Sequence, residues 1–447
     1  MNSRANSLDT HQKTLAINLD PSIFGSFAEI GAGQEVARWF LRAGAASGTV
    51  AKTVSAYSKP VSDSLYGASS RYVSIQRLEA MIDQEWNLLL TQVPPSLASQ
   101  TRLFCFADTV SARNFSGTNE CHGWMGIRFQ DAPLGEPNDL LLHLNLRDAS
   151  NLLQQEVLGV VGVNLIYAVF HLRQFGGSSW KTLLDEVSVQ RVEIDFIELR
   201  GPAFAGWNRQ KTLLALVCEG LAEAVFIAAG KSQAPPTEIL RKRTIVLTPV
   251  AWKSSDSAQQ QTLSAAILQL QAESASAASE PVGLFALSTT SLDTPSAPVD
   301  SAALSGRVEA LCASCNDVLV FGYSEFYRMT SFVNRYTQAP VRFAIDTAAL
   351  IDFLSRTHHN LEGRLLEGVS KLFAQNVRVY VYPTATSAMQ DSLLSASAAG
   401  WQWEEKNGLI AADALRPVAP LGHLYSYLIA SGFVVPMPGI SSSPTTR

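Results

Sequence analysis

Charged side chains are scarce in this sequence. They make up 16% of its 447 residues, although 47% are hydrophobic, against roughly one quarter charged in ordinary soluble domains. Surface that charge does not cover must be covered otherwise. Abundant Ser, Thr and Gln cover some of it, and contact between copies would cover more, so the composition predicts a homo-oligomer. The net charge is −5 and no basic block exists, which excludes the electrostatic footprint of a nucleic-acid partner. Cysteine is also sparse. Five residues, odd in number and irregularly spaced, make no disulfide framework and fit a cytoplasmic protein. Long apolar runs are missing as well. The longest, 157–170, contains Asn164 and is shorter than the ~20 residues that span a bilayer; it predicts a buried helix and no transmembrane segment. Residues 1–13 lack the apolar core of a secretory leader, so 1–18 is expected to be a disordered tail, like 438–447.

What is present in quantity is glycine among small and apolar residues. Residues 19–67 hold Gly25, Gly31, Gly33, Gly44 and Gly48, and such small side chains let backbone approach backbone or a ligand closely. Val36, Trp39 and Phe40 recur at helical spacing. With a second helix at 48–57 they predict a Gly/Ala-rich helical hairpin. A further helix is expected at 71–90, with Ile75, Leu78, Ile82, Trp86 and Leu89 on one face and Arg77, Glu79, Asp83 and Glu85 on the other. Apolar runs at 103–107, 126–130 and 139–146 read as strands. At 191–196, Val192, Ile194 and Phe196 alternate with Arg191, Glu193 and Asp195, which predicts a strand with one buried and one polar face.

The segment from Ala229 to Pro236, with Pro235-Pro236, is the expected domain boundary, dividing an N-terminal α+β or α/β domain (19–236) from a C-terminal α/β domain (237–437). Beyond it, β-branched runs at 245–250, 282–286, 318–322, 341–345 and 377–382 alternate with helical stretches at 260–273, 306–313, 325–336, 348–356 and 361–375. This alternation predicts a three-layer, Rossmann-like domain around a parallel sheet. The low-complexity stretches 254–259 and 288–302 are expected to be loops.

The phrases FGSFAEIGAGQEVARWF, FADTVSARNF, HGWMGIRFQ, VEIDFIELRGP, SEFYRMTSFVNRYT and HLYSYLIASGF resemble, over most of 19–435, a bacterial protein family. Its members circulate under two automatic labels, TonB-dependent receptor and nicotinamide-nucleotide adenylyltransferase. The first implies an outer-membrane barrel, which needs a long series of amphipathic strands that this chain lacks. The second implies a phosphate loop followed by a histidine pair, and here Gly25-Ser26-Phe27 is followed by no histidine before His122. The family pattern also has a second glycine and an isoleucine where this chain has Arg364 and Leu365.

Several constellations carry possible chemistry. Gly31 and Gly33, with Glu35 and Arg38 behind them, faintly resemble a dinucleotide-binding turn, although close helix packing explains the glycines better. Strand ends of the C-terminal domain offer Thr248, Tyr323, Ser324, Glu325, Asp346 and Tyr382 as ligand contacts, or as ordinary helix caps. Cys312 and Cys315 have the spacing of half a zinc site or of a redox pair, and read better as helix-end residues facing a core. Cys121 and His122, beside Glu120, could be a nucleophile and its base, but adjacent residues point apart. Glu193 and Asp195 could hold a divalent metal; a solvated salt-bridge face is the simpler reading. His358 and His359 are expected to be exposed. These motifs call for no cofactor and no metal. Two functions fit: a self-assembling structural or scaffold protein, or an enzyme or regulator that binds a nucleotide or another phosphorylated metabolite.

Overall fold

The computed structural model describes residues 8–31, 33–117, 119–172, 180–230, 232–250, 252, 256–273, 280–290, 300–356, 358–393 and 400–439. The chain divides into two compact units, Met1–Val225 and Phe226–Arg447, not at Pro236.

The N-terminal unit opens with α1 (Thr10–Asn18), where a tail was expected. Asp9 and Gln12 form a capping box, which satisfies two helix-end amides reciprocally, and Lys13 anchors the helix by donating to Asn164 at 2.8 Å and Asp185 at 2.6 Å. The expected helical hairpin is instead a strand–helix–strand unit: β1 (Ile23–Ile30), α2 (Glu35–Ala43) and β2 (Val50–Val54), the last parallel to β1. Gly44 at φ 91° ends α2, and β-branched Val50, Thr53 and Val54 pack better on a pleated edge than in a helix.

Then follow α3 (Lys59–Tyr66), α4 (Ile75–Gln92), α5 (Pro95–Ala98), β3 (Arg102–Ser111), β4 (His122–Gln130), β5 (Pro137–Leu146), α6 (Asn151–His171), β6 (Val192–Arg200) and α7 (Arg209–Cys218). The sheet order is β2-β1-β3-β4-β5-β6. Its first three strands are parallel and its last three pairings antiparallel. The apolar helix α6 is long enough to cross a membrane by composition, yet two thirds of its apolar window is buried inside this unit; the expectation of a buried helix holds. Its glycines serve close packing against α2. A Cβ added at Gly162 would stand 2.3 Å from Val36 Cγ2, and one at Gly159 3.0 Å from the Trp39 ring. On α4 the expected polar face is partly wrong: Arg77 and Glu85 are buried, because Asp63 pairs with the first at 2.8 Å and Lys52 with the second at 2.7 Å.

The C-terminal unit contains β7 (Ala224–Ile227, which carries the division), α8 (Pro236–Leu240), β8 (Ile245–Pro249), α9 (Asp256–Glu273), β9 (Val282–Ser288), α10 (Ser301–Ala313), β10 (Val318–Phe321), α11 (Phe326–Val333), β11 (Val341–Asp346), α12 (Thr347–Ser355), α13 (Arg364–Leu372) and β12 (Val377–Tyr382). After these come β13 (Thr384–Ala385), α14 (Thr386–Leu393), β14 (Trp401–Trp403), β15 (Leu409–Ile410), β16 (Leu415–Pro417), α15 (Leu421–Ala430) and β17 (Val434–Pro436). The sheet order is β17-β12-β11-β8-β9-β10-β7. The pairings from β17 to β10 are all parallel. Counted from β8, that is the 3-2-1-4-5-6 winding of a doubly wound sheet, with β7 added beyond β10. The α/β expectation is met strand by strand. The loop expected at 254–259 is corrected where it is described, because α9 already begins at Asp256. Of the loop expected at 288–302, residues 291–299 lie outside the described residues, Ser288 ends β9 and Ser301 starts α10.

Candidate functional site

In the C-terminal sheet the winding reverses between β8 and β11, and the carboxyl ends of these strands are where sheets of this order take ligands. Val246 aligns with Arg342 and Leu247 with Phe343, while Ala344 aligns with Tyr380 and Asp346 with Tyr382. Strand alternation therefore sets Thr248, Ala344, Asp346 and Tyr382 on one face. It is the face under α9, because Glu273 at the end of that helix reaches Arg342.

Thr248 and Tyr382 are 2% and 4% exposed, and neither hydroxyl has a hydrogen-bond partner among the described residues. Leaving a buried hydroxyl unbonded costs about 1–3 kcal/mol. Trp252, beyond the end of β8, leaves its Nε1 equally unpartnered among them. Burial pushes the Tyr382 phenol up to about 12, so it remains a donor at neutral pH. Strand spacing and rise place the two Cα atoms roughly 12 Å apart, and Ala344 between them is small. Two buried, unpartnered hydroxyls thus share one face at the switch point.

The other expected ligand contacts of this unit are occupied locally. The Tyr323 ring lies under the Arg328 guanidinium at 3.7 Å, Ser324 is buried, and Glu325 accepts from Asn360 at 3.2 Å and pairs with Arg328. Asp346 caps α12, accepting from the Ala349 amide at 2.8 Å. His358 is buried, its Nε2 at 3.1 Å from the Phe353 carbonyl, which corrects the expectation of exposure; His359 is exposed. Cys312 is half-buried and Cys315 is exposed, both as free thiols, so only the first approaches a core. Burial pushes the Cys312 thiol up to about 11, away from ready thiolate chemistry.

In the N-terminal unit, Gly31 and Gly33 do lie between a strand and a helix. Gly31 at φ 102° has Val110's carbonyl oxygen 1.9 Å from where a Cβ would sit, and Gly33 at φ 90° faces Gln155. Glu35 pairs with exposed Arg38 at 3.2 Å. The amides that would meet a phosphate, those of Val36 and Ala37, both donate at 3.0 Å to the carboxylate of Glu29. An internal anion occupies the helix N-terminus. Burial, joined by the charge of Glu35, pushes the Glu29 carboxyl up to about 7. Its register neighbour Asp108 is held well above the usual carboxylate range by burial first and by Glu29 second.

Glu193 and Asp195 do not form a solvated face; both are buried. Glu193 accepts from Arg147 at 2.8 Å. Asp195 accepts from Asn145 at 2.7 Å and lies 2.6 Å from His143 Nδ1. Among the described residues no group of three or more His, Cys, Asp or Glu is placed to hold a metal ion. Cys121 and His122 do not pair, since the Cys121 thiol turns to the Asn119 carbonyl while His122 Nδ1 meets His143 Nε2 at 3.1 Å. Sequence reading missed Glu29, His143 and Asn145. The visible signal was two polar residues two apart inside the apolar strand 139–146.

No protein-family model matches the chain, and none of the curated proteins does. Among solved structures it is similar to the competence/damage inducible protein CihA from Agrobacterium tumefaciens, at 15% identity over 37% of this chain and 99% of that chain with a TM-score of 0.27. It is also similar to CinA superfamily proteins from Enterobacter cloacae (14%, 38% and 96%, TM-score 0.28) and Escherichia coli (15%, 38% and 98%, TM-score 0.26). A likeness this faint assigns this chain neither a role nor a site.

Proposed function

We propose that the C-terminal unit binds a small polyhydroxylated ligand, a nucleotide or another phosphorylated metabolite, at the carboxyl edge of its sheet. The reading rests on Thr248 and Tyr382, two buried hydroxyls without partners among the described residues that share one face across the switch point. A ligand hydroxyl at each would remove the cost of their burial, and a nucleoside or a sugar phosphate carries such hydroxyls. The winding order supports the location and not the ligand. Thermal unfolding across a panel of nucleotides and sugar phosphates tests this. A ligand at a hundredfold its Kd is expected to stabilise by about 2.7 kcal/mol, and no stabilisation across the panel contradicts the proposal.

Self-assembly is the second reading, and the β2 edge supports it. Among the described residues that strand pairs only with β1, leaving its other side as a template for a second chain. On the elements before and after it in the chain, Leu41, Tyr57, Val61 and Leu65 are exposed, Tyr57 at 75%. Light scattering after size exclusion is expected to give a discrete oligomer that Val61→Lys weakens; a monomer at micromolar concentration removes the reading.

A further inference from the structure

Helix α10 runs out through Cys312, Ala313, Ser314 and Cys315, and the chain leaves it by a closed turn. The Cys315 amide donates to the Cys312 carbonyl at 2.9 Å and the Asn316 amide to the Leu311 carbonyl at 3.4 Å, the two hydrogen bonds of a Schellman cap. Glycine is the usual residue at the left-handed position of such a cap, and here Cys315 takes it at φ 59°. A turn closed between its first and fourth residues holds their Cα atoms within about 7 Å. A disulfide needs about 4.4–6.8 Å.

The turn is also held from outside. Asn316 is 6% exposed, and its side-chain amide donates to the Ser314 carbonyl at 3.0 Å. Next to it, Asp317 accepts from the Ala229 amide at 2.9 Å through Oδ1 and from the Phe285 amide at 3.0 Å through its carbonyl, which ties the turn to β9 and to the stretch after β7. The two thiols differ. Cys315 is exposed and Cys312 half-buried, and burial, with the charge of Asp317 added, pushes the Cys312 thiol up to about 11. The carboxyl end of a helix gives a thiolate no support either. Strongly oxidising pairs owe their potential to a stabilised reduced form, and this pair lacks that stabilisation, so the balance moves toward the disulfide.

We propose that Cys312 and Cys315 are a redox-active dithiol of the C-terminal unit, closed to a disulfide by a low-molecular-weight disulfide and reopened by a thiol. Exposed Cys315 reacts first. Its thiolate attacks one sulfur of the oxidant, the oxidant's S–S bond breaks, and one thiolate leaves with the electron pair. The Cys312 thiolate then attacks Cys315 Sγ and expels the second. Two electrons pass from the cysteine sulfurs to the oxidant, and the two cysteine protons end on the two released thiols.

Oxidised and reduced glutathione are the probe. Wild-type protein equilibrated with them is alkylated with iodoacetamide and digested with trypsin, which leaves both cysteines in one peptide, 308–328. That peptide is expected unalkylated and about 2 Da lighter than its reduced form, whereas Cys312→Ser is expected to keep glutathione on Cys315. At one glutathione ratio the closed-to-open ratio is expected to be about tenfold or more higher in the folded protein than in urea, because the cap holds the two residues together. A doubly alkylated peptide, glutathione that stays on Cys315 in the wild type, or equal closure in urea overturns the proposal.

Discussion

Glu29 and Asp108 lie side by side in register on the parallel strands β1 and β3, both buried, and Glu29 alone of the two caps the helix that follows. Two acids this close in a desolvated place cannot both ionise cheaply. One proton between them keeps the cap and removes the repulsion.

The sign of the pH effect follows. Both carboxyls titrate above their ordinary values in the folded protein, so the native state holds more protons than the unfolded chain between the ordinary carboxylate range and about pH 7. Stability is fullest below that range and falls as pH rises through about 7. For Glu29 the loss amounts to roughly 3 kcal/mol at most. Denaturant unfolding at pH 5.5 and pH 8 is expected to show this fall, and Asp108→Asn to flatten it by removing the repelling charge. Equal pH slopes in the two proteins would count against the shared proton.

Glycines with different surroundings are expected to respond with opposite signs. Gly162→Ala puts a Cβ 2.3 Å from Val36 and is expected to destabilise by about 1–3 kcal/mol. Gly306 lies inside α10 with nothing within 4 Å of its would-be Cβ. Gly306→Ala is expected to stabilise by about 0.5–1 kcal/mol. Chemical denaturation of the two variants reads both numbers, and a neutral Gly162→Ala would mean that α2 and α6 do not pack as described.

Arg364 stands at φ 51°, a left-handed position that glycine takes up without steric cost. A left-handed backbone costs a side-chain-bearing residue about 1–2 kcal/mol, partly offset by glycine's greater freedom in the unfolded chain. Arg364→Gly is therefore expected to raise stability by about 0.5 kcal/mol. The substitution also removes a hydrogen bond to His359, which is exposed and weak in water. Destabilisation on thermal unfolding would show that Arg364 has a role beyond its backbone.

How far the sequence disclosed this structure depended on how local the determining interactions are. The C-terminal strands were legible because each is a run of apolar, often β-branched residues such as Ile245–Pro249 and Val377–Tyr382. The first strand was not: Gly25, Ser26 and Glu29 dilute its pattern, and its order comes from pairing with β3. Burial of Arg77, Glu85, Glu193 and Asp195 was hidden for the same reason, since their partners lie far along the chain. At the C-terminal edge Thr248, Asp346 and Tyr382 were legible as strand ends. That two of them lack partners among the described residues is a property of packing, which no spacing reveals.

The central claim is a ligand seated between Thr248 and Tyr382, and calorimetric titration tests it most directly. The panel compound that most stabilises the wild-type protein is titrated into wild type, Thr248→Val and Tyr382→Phe. Each substitution removes a hydroxyl that has no partner among the described residues, so the fold is expected to hold while a ligand group is left unpaired, weakening binding about tenfold or more. Equal affinities in all three proteins would contradict the account.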